Sequence, residues 1–154
     1  MTDADQTRNL GVLLFIPYRY MESAVLAALK ADGHDVALSH ARVFQRIDPA
    51  GSRMSELARS AQLSKQTVSS IVDQLERHGY VRRTPDPADA RSRIVTITSQ
   101  GRTLIELSRP VVERIERDWE AHLGSRGMRE LRRLLTDLAA ITDLDARSSA
   151  LDEE

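Results

Sequence analysis

The sequence predicts a mainly α-helical protein with one small β-ribbon. Apolar residues recur at three- and four-residue steps along most of the chain, and they alternate with polar residues only between about residues 80 and 98. Glycine and proline residues separate the helical segments from one another. The chain has 154 residues, of which 41% are hydrophobic and 29% are charged, so it can bury a core of its own as one ordinary domain.

The first predicted helix covers about residues 8–31, where apolar side chains keep helical spacing. Pro17 lies inside this segment and is expected to kink the helix, and Gly33 is expected to end it. A shorter helix is predicted from Ser39, as its N-cap, to about Ile47, because an Asp-Pro pair and a glycine follow there.

Two short helices joined by a tight turn follow. Ser55 is the predicted N-cap of the first helix and Ser64 that of the second, while Gly79 suits the left-handed end of the second helix. The second helix has an apolar stripe that would face the core, formed by Val68, Ile71, Val72 and Leu75.

The pattern then changes to alternation between apolar and polar residues. It predicts one strand over Tyr80–Thr84 and another over Arg93–Thr98. Residues 85–90 are rich in proline and aspartate and are predicted to form the turn between the two strands. These two strands are the small β-ribbon of the predicted fold.

The last third of the chain is again helical. One amphipathic helix is predicted after Thr98 to about Leu123, and Gly124 and Gly127 separate it from a final helix. The outer helices could complete a monomeric core, but their combined apolar surface favours a dimer. The predicted organisation is a lobe at residues 38–98, a helical dimerisation region at 8–32 and 99–144, and flexible termini at 1–7 and 145–154.

Two short helices followed by a two-stranded ribbon form a winged helix-turn-helix, which places its second helix in the major groove of DNA. Between residues 53 and 93 eight basic residues accompany five acidic ones, although the whole chain has a net charge of −1. A basic middle agrees with DNA binding, and a solvated charged surface explains it equally well.

The polar first turn of the second helix supplies candidate base-reading residues. Gln66 can pair with a base through two hydrogen bonds, and Lys65 suits a phosphate or a guanine. On the ribbon, Arg91 or Arg93 could enter the narrow minor groove, with Asp89 holding an arginine in position through a charge-assisted bond. The predicted DNA-binding residues are Arg53, Ser55, Ser64, Lys65, Gln66, Thr67, Ser69, Ser70, Gln74, Asp89, Arg91 and Arg93.

Several short motifs accompany this arrangement, namely Leu57-Ala58-Arg59, Thr67-Val68-Ser69, Val72-Asp73-Gln74-Leu75-Glu76, Gly79-Tyr80-Val81 and the wing at residues 86–98. Together they resemble the MarR (multiple antibiotic resistance regulator) family of winged-helix regulators. The resemblance implies a homodimer that binds a pseudo-palindromic operator, represses transcription and is released by a small aromatic or amphipathic ligand. It also implies a ligand pocket, which Tyr18, His40 and Arg42 could line, although packing or surface roles would account for these residues as well.

Three residues depart from the pattern of the family. Gln62 stands in the turn between the two short helices, where the family often has glycine, so a left-handed residue there would be mildly strained. Ala90 stands where many members have a second wing arginine, which would weaken nonspecific DNA affinity. Ser70 replaces an arginine that is common on the recognition helix, so the bases recognised would differ.

The composition excludes several other classes of protein. The chain has no cysteine, which excludes disulfides and thiol sensing and agrees with a cytoplasmic location. Asp3 and Asp5 argue against a signal peptide. The longest apolar run, residues 12–17, is far shorter than the roughly 18 residues of a membrane span, so no membrane partner is expected. The four histidines are scattered, so no metal site is expected.

An enzyme is the rival from another functional class. The chain has no glycine-rich cofactor loop, no cysteine nucleophile and no convincing acid–base pair, so we expect neither catalysis nor a cofactor. A second rival is an architectural or partner-binding winged helix without ligand control. Trp119 lies on the apolar stripe of the long helix, where a place in a dimer core is favoured over a ligand platform.

Overall fold

The computed structural model describes residues 8–143, so the predicted flexible termini, residues 1–7 and 145–154, lie outside the described residues. The described part is mainly α-helical with one small sheet, as the sequence predicts. Its helices are α1 (Leu10–Ala31), α2 (Leu38–Phe44), α3 (Met54–Ala61), α4 (Lys65–Arg77) and α5 (Ser99–Thr142). Its strands are β1 (Ser52–Arg53), β2 (Val81–Asp86) and β3 (Asp89–Ile97).

The core lies in the central lobe, where α2, α3 and α4 pack against one another and against an antiparallel sheet of order β1-β3-β2. The sequence did not predict β1, which has only two residues. Leu29 of α1 and Leu104 of α5 join the same cluster, so both outer helices are attached to the lobe. The most deeply buried side chains of the core are Val43, Leu57, Val68, Val72, Leu75, Val81 and Val95.

Two of the predicted helix starts are wrong. The N-cap of α2 is Ala37 rather than Ser39, and the N-cap of α3 is Arg53 rather than Ser55. An N-cap side chain contributes only about 1 kcal/mol, so the burial of apolar residues and the pairing of β1 determine where these helices begin. The prediction for Ser64 is confirmed, because its Oγ accepts the N–H of Thr67 at 3.1 Å.

The C-terminal helices form one long element with a single interruption. Thr98 caps the start of α5, where its Oγ1 accepts the N–H of Gly101 at 3.1 Å. Gly124 alone leaves helical geometry, with φ 74° and ψ 157°, so α5 consists of two helices that meet there. The predicted break at Gly124 is confirmed and the one at Gly127 is wrong, because Gly127 lies within a helical turn.

Helix α1 begins after Asn9, whose Oδ1 accepts the N–H of Val12 at 3.0 Å, and Gly33 ends it with a φ of 89°. The helix continues on both sides of Pro17, where a kink stays a prediction. Among the described residues, α1 is the one helix long and apolar enough, by length and composition, to cross a membrane. The uninterrupted apolar run at residues 12–17 therefore understates the apolar character of α1. Core helices of soluble proteins also meet this criterion of length and composition.

Candidate nucleic-acid interface

Helix α4 separates its side chains into a buried face and an exposed polar face. Its apolar stripe, predicted from the sequence, is buried in the core: Val68, Ile71, Val72 and Leu75. Lys65, Gln66, Thr67 and Ser70 are exposed, whereas Ser69 and Gln74 are half-buried. The first turn of α4 is thus polar, capped and accessible, which is the arrangement required of a helix that enters the major groove.

The tight turn between α3 and α4 depends on a left-handed residue. Gln62 has φ 53° and ψ 41°, and it is the only non-glycine residue with positive φ among residues 8–143. The N–H of Leu63 then donates to the carbonyl of Ala58 at 3.0 Å, which closes the turn. The left-handed conformation expected at Gln62, with the steric strain that a non-glycine residue has there, is thus present in the structure.

The wing is longer than predicted. Strands β2 and β3 pair up to Asp86 and Asp89, with Pro85 opposite Arg93, so the six-residue turn predicted at 85–90 is wrong. Only two residues, 87 and 88, connect the strands. Proline lacks the N–H that an inner strand must donate, but β2 is an edge strand and tolerates it.

Asp89 does not have the predicted contact with an arginine side chain. Its Oδ1 accepts the main-chain N–H of Arg91 at 2.9 Å, and within the described chain it forms no ion pair with Arg91 or Arg93. Asp89 therefore shapes the main chain just after the turn, while both arginine side chains remain exposed. This corrects the predicted role of Asp89 as the residue that holds a wing arginine.

The carboxylate that does pair with an arginine at the wing is Asp86. Its Oδ2 lies 2.7 Å from Nε of Arg53, and its Oδ1 accepts the N–H of Ala88 at 2.9 Å. Arg53 and Ser55 both lie at the exposed start of α3, next to the wing. Asp86 was not among the site residues predicted from the sequence, although an aspartate followed by proline is a common start of a turn.

Arg83, which was also not among the predicted site residues, connects the wing to α4. Its Nε donates to Oε2 of Glu76 at 3.2 Å, its main-chain N–H donates to Oε1 of Glu76 at 3.0 Å, and its guanidinium also pairs with Asp73. The side chain of Arg83 is mostly buried. Because these contacts join β2 to α4, they fix the distance between the two candidate DNA-binding elements.

Of the three predicted ligand-binding residues, the structure brings two together. Tyr18 and Arg42 line a cleft of about 680 Å³ between α1, α2 and the α3–α4 turn. Tyr18 also borders a more apolar cavity of about 390 Å³ between α1, α2 and α5. His40 is buried on α2 and is absent from the lining of both spaces, so the structure does not bring it together with Tyr18 and Arg42.

Tyr18 and Arg42 meet at Glu22. Nε and a terminal nitrogen of Arg42 donate to the two carboxylate oxygens at 2.9 and 3.2 Å, and the hydroxyl of Tyr18 donates to Oε1 at 3.1 Å. The hydrogen bond from Arg42 lowers the pKa of Glu22, while partial burial opposes this change. Gln45 donates to the Tyr18 hydroxyl at 3.3 Å, so the network joins α1 to α2.

The chain is similar to known transcriptional regulators. A model of the MarR family matches residues 34–92. The HTH-type transcriptional repressor Rv2887 of Mycobacterium tuberculosis is 31% identical over 132 residues, which cover 85% of this chain and 94% of that protein. The repressor NicR of Pseudomonas putida is 26% identical over 94% of this chain and 89% of its own. The transcriptional activatory protein BadR of Rhodopseudomonas palustris is 39% identical over 57 residues, 37% of this chain, and the match spans only 33% of BadR.

Solved structures share the fold. A crystal structure of MarR has a TM-score of 0.70 and 25% identity, and the match covers 86% of this chain and 96% of that one. Sco3205 from Streptomyces coelicolor, in complex with DNA, has a TM-score of 0.63 and 20% identity over 91% of this chain and 89% of its own. NadR in complex with 4-hydroxyphenylacetate has a TM-score of 0.69 and 21% identity, and the match covers 92% of this chain and 99% of that one. The fold, the motifs and the full-length repressor relatives establish that this chain belongs to the MarR family of winged-helix transcriptional regulators.

Proposed function

We propose that this protein is a homodimeric repressor that binds a pseudo-palindromic DNA operator and is released by a small ligand. The observation that carries the proposal is the exposed polar turn of α4, held at a fixed distance from an arginine-bearing wing by Arg83. A helix and a ribbon in this relation can occupy a major groove and the adjacent minor groove. A transcriptional regulator acts on DNA, which supports a cytoplasmic location for this protein.

In this proposal the DNA-binding residues divide into three groups. Gln66 reads a base edge in the major groove, and Lys65 contacts a phosphate. Arg91 and Arg93 reach the minor groove from the wing, whose turn is shaped by Asp89. Neighbouring polar residues complete the phosphate and base contacts: Arg53, Ser55, Ser64, Thr67, Ser69, Ser70 and Gln74. The similarity of the fold to Sco3205, whose structure contains DNA, supports this assignment.

The dimer is supported by apolar side chains that one protomer leaves exposed. They cluster in the first half of α1 and the last part of α5, the segments proposed as the dimerisation region at residues 8–32 and 99–144: Leu10, Val12, Leu13, Leu14, Phe15, Ile16, Leu123, Leu134, Leu135, Leu138 and Ile141. An exposed apolar surface of this extent is typical of a subunit interface. A second copy of the chain would cover it and would also account for the apolar composition of α1.

Ligand control is supported by the cleft beside the Glu22 network. Arg42 offers a guanidinium, Tyr18 offers a hydroxyl, and the adjoining cavity is lined mainly by apolar side chains, which together suit a small aromatic acid. NadR, a neighbour in fold, was solved with 4-hydroxyphenylacetate. Because the cleft lies between the outer helices and the lobe, a bound ligand would change the distance between two recognition helices and weaken operator binding.

The proposal is tested by selecting duplexes from a random DNA library with the purified protein. We expect a palindromic site whose half-sites lie about one helical turn apart. On that site Gln66→Ala should lose about 1–3 kcal/mol of binding free energy with little change on random DNA, whereas Lys65→Ala should weaken both. Selection of no sequence, or equal losses on both DNAs for Gln66→Ala, would contradict the proposed recognition.

Ligand release is tested separately by titrating the selected complex with a panel of aromatic carboxylic acids. We expect at least one acid to dissociate the DNA and to raise the melting temperature of the protein. The variant Arg42→Gln should respond more weakly to that acid while it binds DNA normally. If no acid in the panel dissociates the DNA or shifts the melting temperature, an architectural role without ligand control replaces this part of the proposal.

A further inference from the structure

Arg53 and Asp86 form an ion pair where the wing meets the helix-turn-helix. Nε of Arg53 lies 2.7 Å from Oδ2 of Asp86, and the side chains are 46% and 3% exposed, respectively. The acid is therefore buried and the base is accessible. Oδ2 of Asp86 has no hydrogen bond of good geometry, so the guanidinium is the charge that compensates the buried carboxylate.

The main chain anchors both partners. Arg53 is paired with Ile94 across the sheet, and its N–H donates to Oε2 of Glu56 at 2.9 Å. Oδ1 of Asp86 accepts the N–H of Ala88 and so closes the wing turn. A buried carboxylate that loses its cation is strongly destabilised, so Asp86 keeps the Arg53 guanidinium in one place.

This arrangement leaves part of the guanidinium available. Arginine has five donors in a planar fork, and the contact with Asp86 uses the Nε edge. Among residues 8–143 no other acid forms an ion pair with the Arg53 side chain. Arg53 also lies beside β3, which carries the exposed Arg91 and Arg93. A guanidinium held on one edge, within a cationic surface, is preorganised to bind a phosphate with its terminal nitrogens.

We propose that Asp86 is a positioning residue for DNA binding, which fixes the Arg53 guanidinium so that its terminal nitrogens contact a backbone phosphate of the operator. This inference rests on the proposed function, because it assigns a role within the same interface. From charge alone, removing an acid from a surface that faces phosphates should increase the affinity for DNA. We expect the opposite for Asp86, because its removal releases the Arg53 guanidinium and so decreases the affinity for DNA.

The experiment measures binding of Asp86→Asn, Arg53→Gln and the double variant to the selected duplex and to a scrambled duplex, over a range of salt concentrations. Each single variant is expected to bind both duplexes about fivefold to tenfold more weakly and to show the same decrease in salt dependence, since the contact is to phosphate. The double variant should bind no more weakly than Arg53→Gln, because both changes remove one interaction.

Asp89→Asn serves as the matched control. It removes an acid from the same wing but keeps the acceptor for the N–H of Arg91, so we expect tighter binding. If Asp86→Asn likewise binds more tightly, or if its loss adds to that of Arg53→Gln with an unchanged salt dependence, the pair only stabilises the fold and the inference is overturned.

A second variant keeps the test decisive if Asp86→Asn does not fold. Arg53→Lys retains the charge, but a single ammonium group cannot pair with Asp86 and present a fork to a phosphate. We expect about a fivefold loss in affinity for both duplexes, and unchanged binding would overturn the inference. If the wild type selects no DNA sequence, the proposed function itself is wrong. If the wild type selects a sequence and the variants bind that sequence as tightly as the wild type does, only the role of Asp86 is wrong.

Discussion

At the scale of single residues, two positions of the helix-turn-helix have a left-handed backbone conformation, Gln62 and Gly79. A turn of this length between two helices needs a left-handed residue, and Gln62 occupies that position with φ 53°. Gly79, which was expected to end α4, has a φ of 79°. Helix caps were less predictable, since Ser64 caps α4 but Ser39 and Ser55 do not cap their helices. Steric limits on φ leave few alternatives, whereas a cap competes with packing forces of similar size.

We therefore expect Gln62→Gly to stabilise the protein. Glycine removes the steric cost of the left-handed conformation, partly offset by the greater freedom of the unfolded chain, for a net gain of about 0.5–1 kcal/mol. The free energy of unfolding in urea measures this gain. A loss of stability would show that Gln62 makes contacts that outweigh its strain.

The opposite substitution at Gly79 is the control for this prediction. Alanine there would retain a φ of 79°, and its Cβ would lie 2.7 Å from the end of the flexible Gln100 side chain, which can move away. The backbone strain is therefore the main effect, and Gly79→Ala should destabilise the protein by about 1 kcal/mol. If both substitutions change stability in the same direction, left-handed strain does not explain either of them.

The Glu22 network predicts a dependence of stability on pH. The hydrogen bond from Arg42 lowers the pKa of Glu22 in the folded protein below that in the unfolded chain, about 4.3. The stabilisation is therefore present above the unfolded pKa and is lost as the pH falls through the folded pKa. The stability difference between wild type and Glu22→Gln should be largest near neutral pH and shrink below about pH 4. Urea unfolding at a series of pH values measures it, and a constant difference would contradict this role of Glu22.

At the scale of secondary-structure elements, the sequence pattern predicted every helix of the described chain, but it predicted wing strands that are too short. Prolines at 85 and 87 suggested a long turn, yet Pro85 lies within β2 because the edge of the sheet requires no donor there. The two-residue strand β1 was also beyond prediction, since its pairing with β3 joins distant parts of the chain. A local pattern cannot reveal such long-range pairing.

The extended wing sharpens the prediction for Arg91. Its side chain is exposed on a ribbon only two strands wide at that point, and no ion pair holds it within the described residues. Arg91→Ala should leave the melting temperature nearly unchanged, weaken DNA binding by about 1–3 kcal/mol and lower the salt dependence by about one unit per wing. Calorimetry and binding over a salt series measure these effects. Unaltered DNA binding would mean that the wing does not contact DNA through Arg91.

At the scale of the whole molecule, the apolar side chains of the outer helices, whose combined surface favours a dimer, divide into two groups. Val111 is buried within the protomer, and Trp119 and Leu131 are half-buried. Leu13 and Leu138 remain about two-fifths exposed. Helical periodicity identifies an apolar face but does not reveal whether that face packs on the same chain or on another. The three-dimensional arrangement makes this distinction, and it directs the proposed interface to the free ends of α1 and α5.

The dimer can be tested with one variant on that surface and one away from it. Light scattering of the wild type at micromolar concentration should give about twice the chain mass of 17.3 kDa. Leu13→Glu places a charge in the proposed interface and should yield a folded monomer that binds a single half-site weakly. Leu63→Glu, at a position of similar exposure in the α3–α4 turn, should remain a dimer.

A wild type that is monomeric at these concentrations would remove the interface and, with it, the reason to expect a palindromic operator. A dimer that persists in Leu13→Glu would instead place the interface on other parts of α1 and α5, because a buried charge at its centre would not be tolerated.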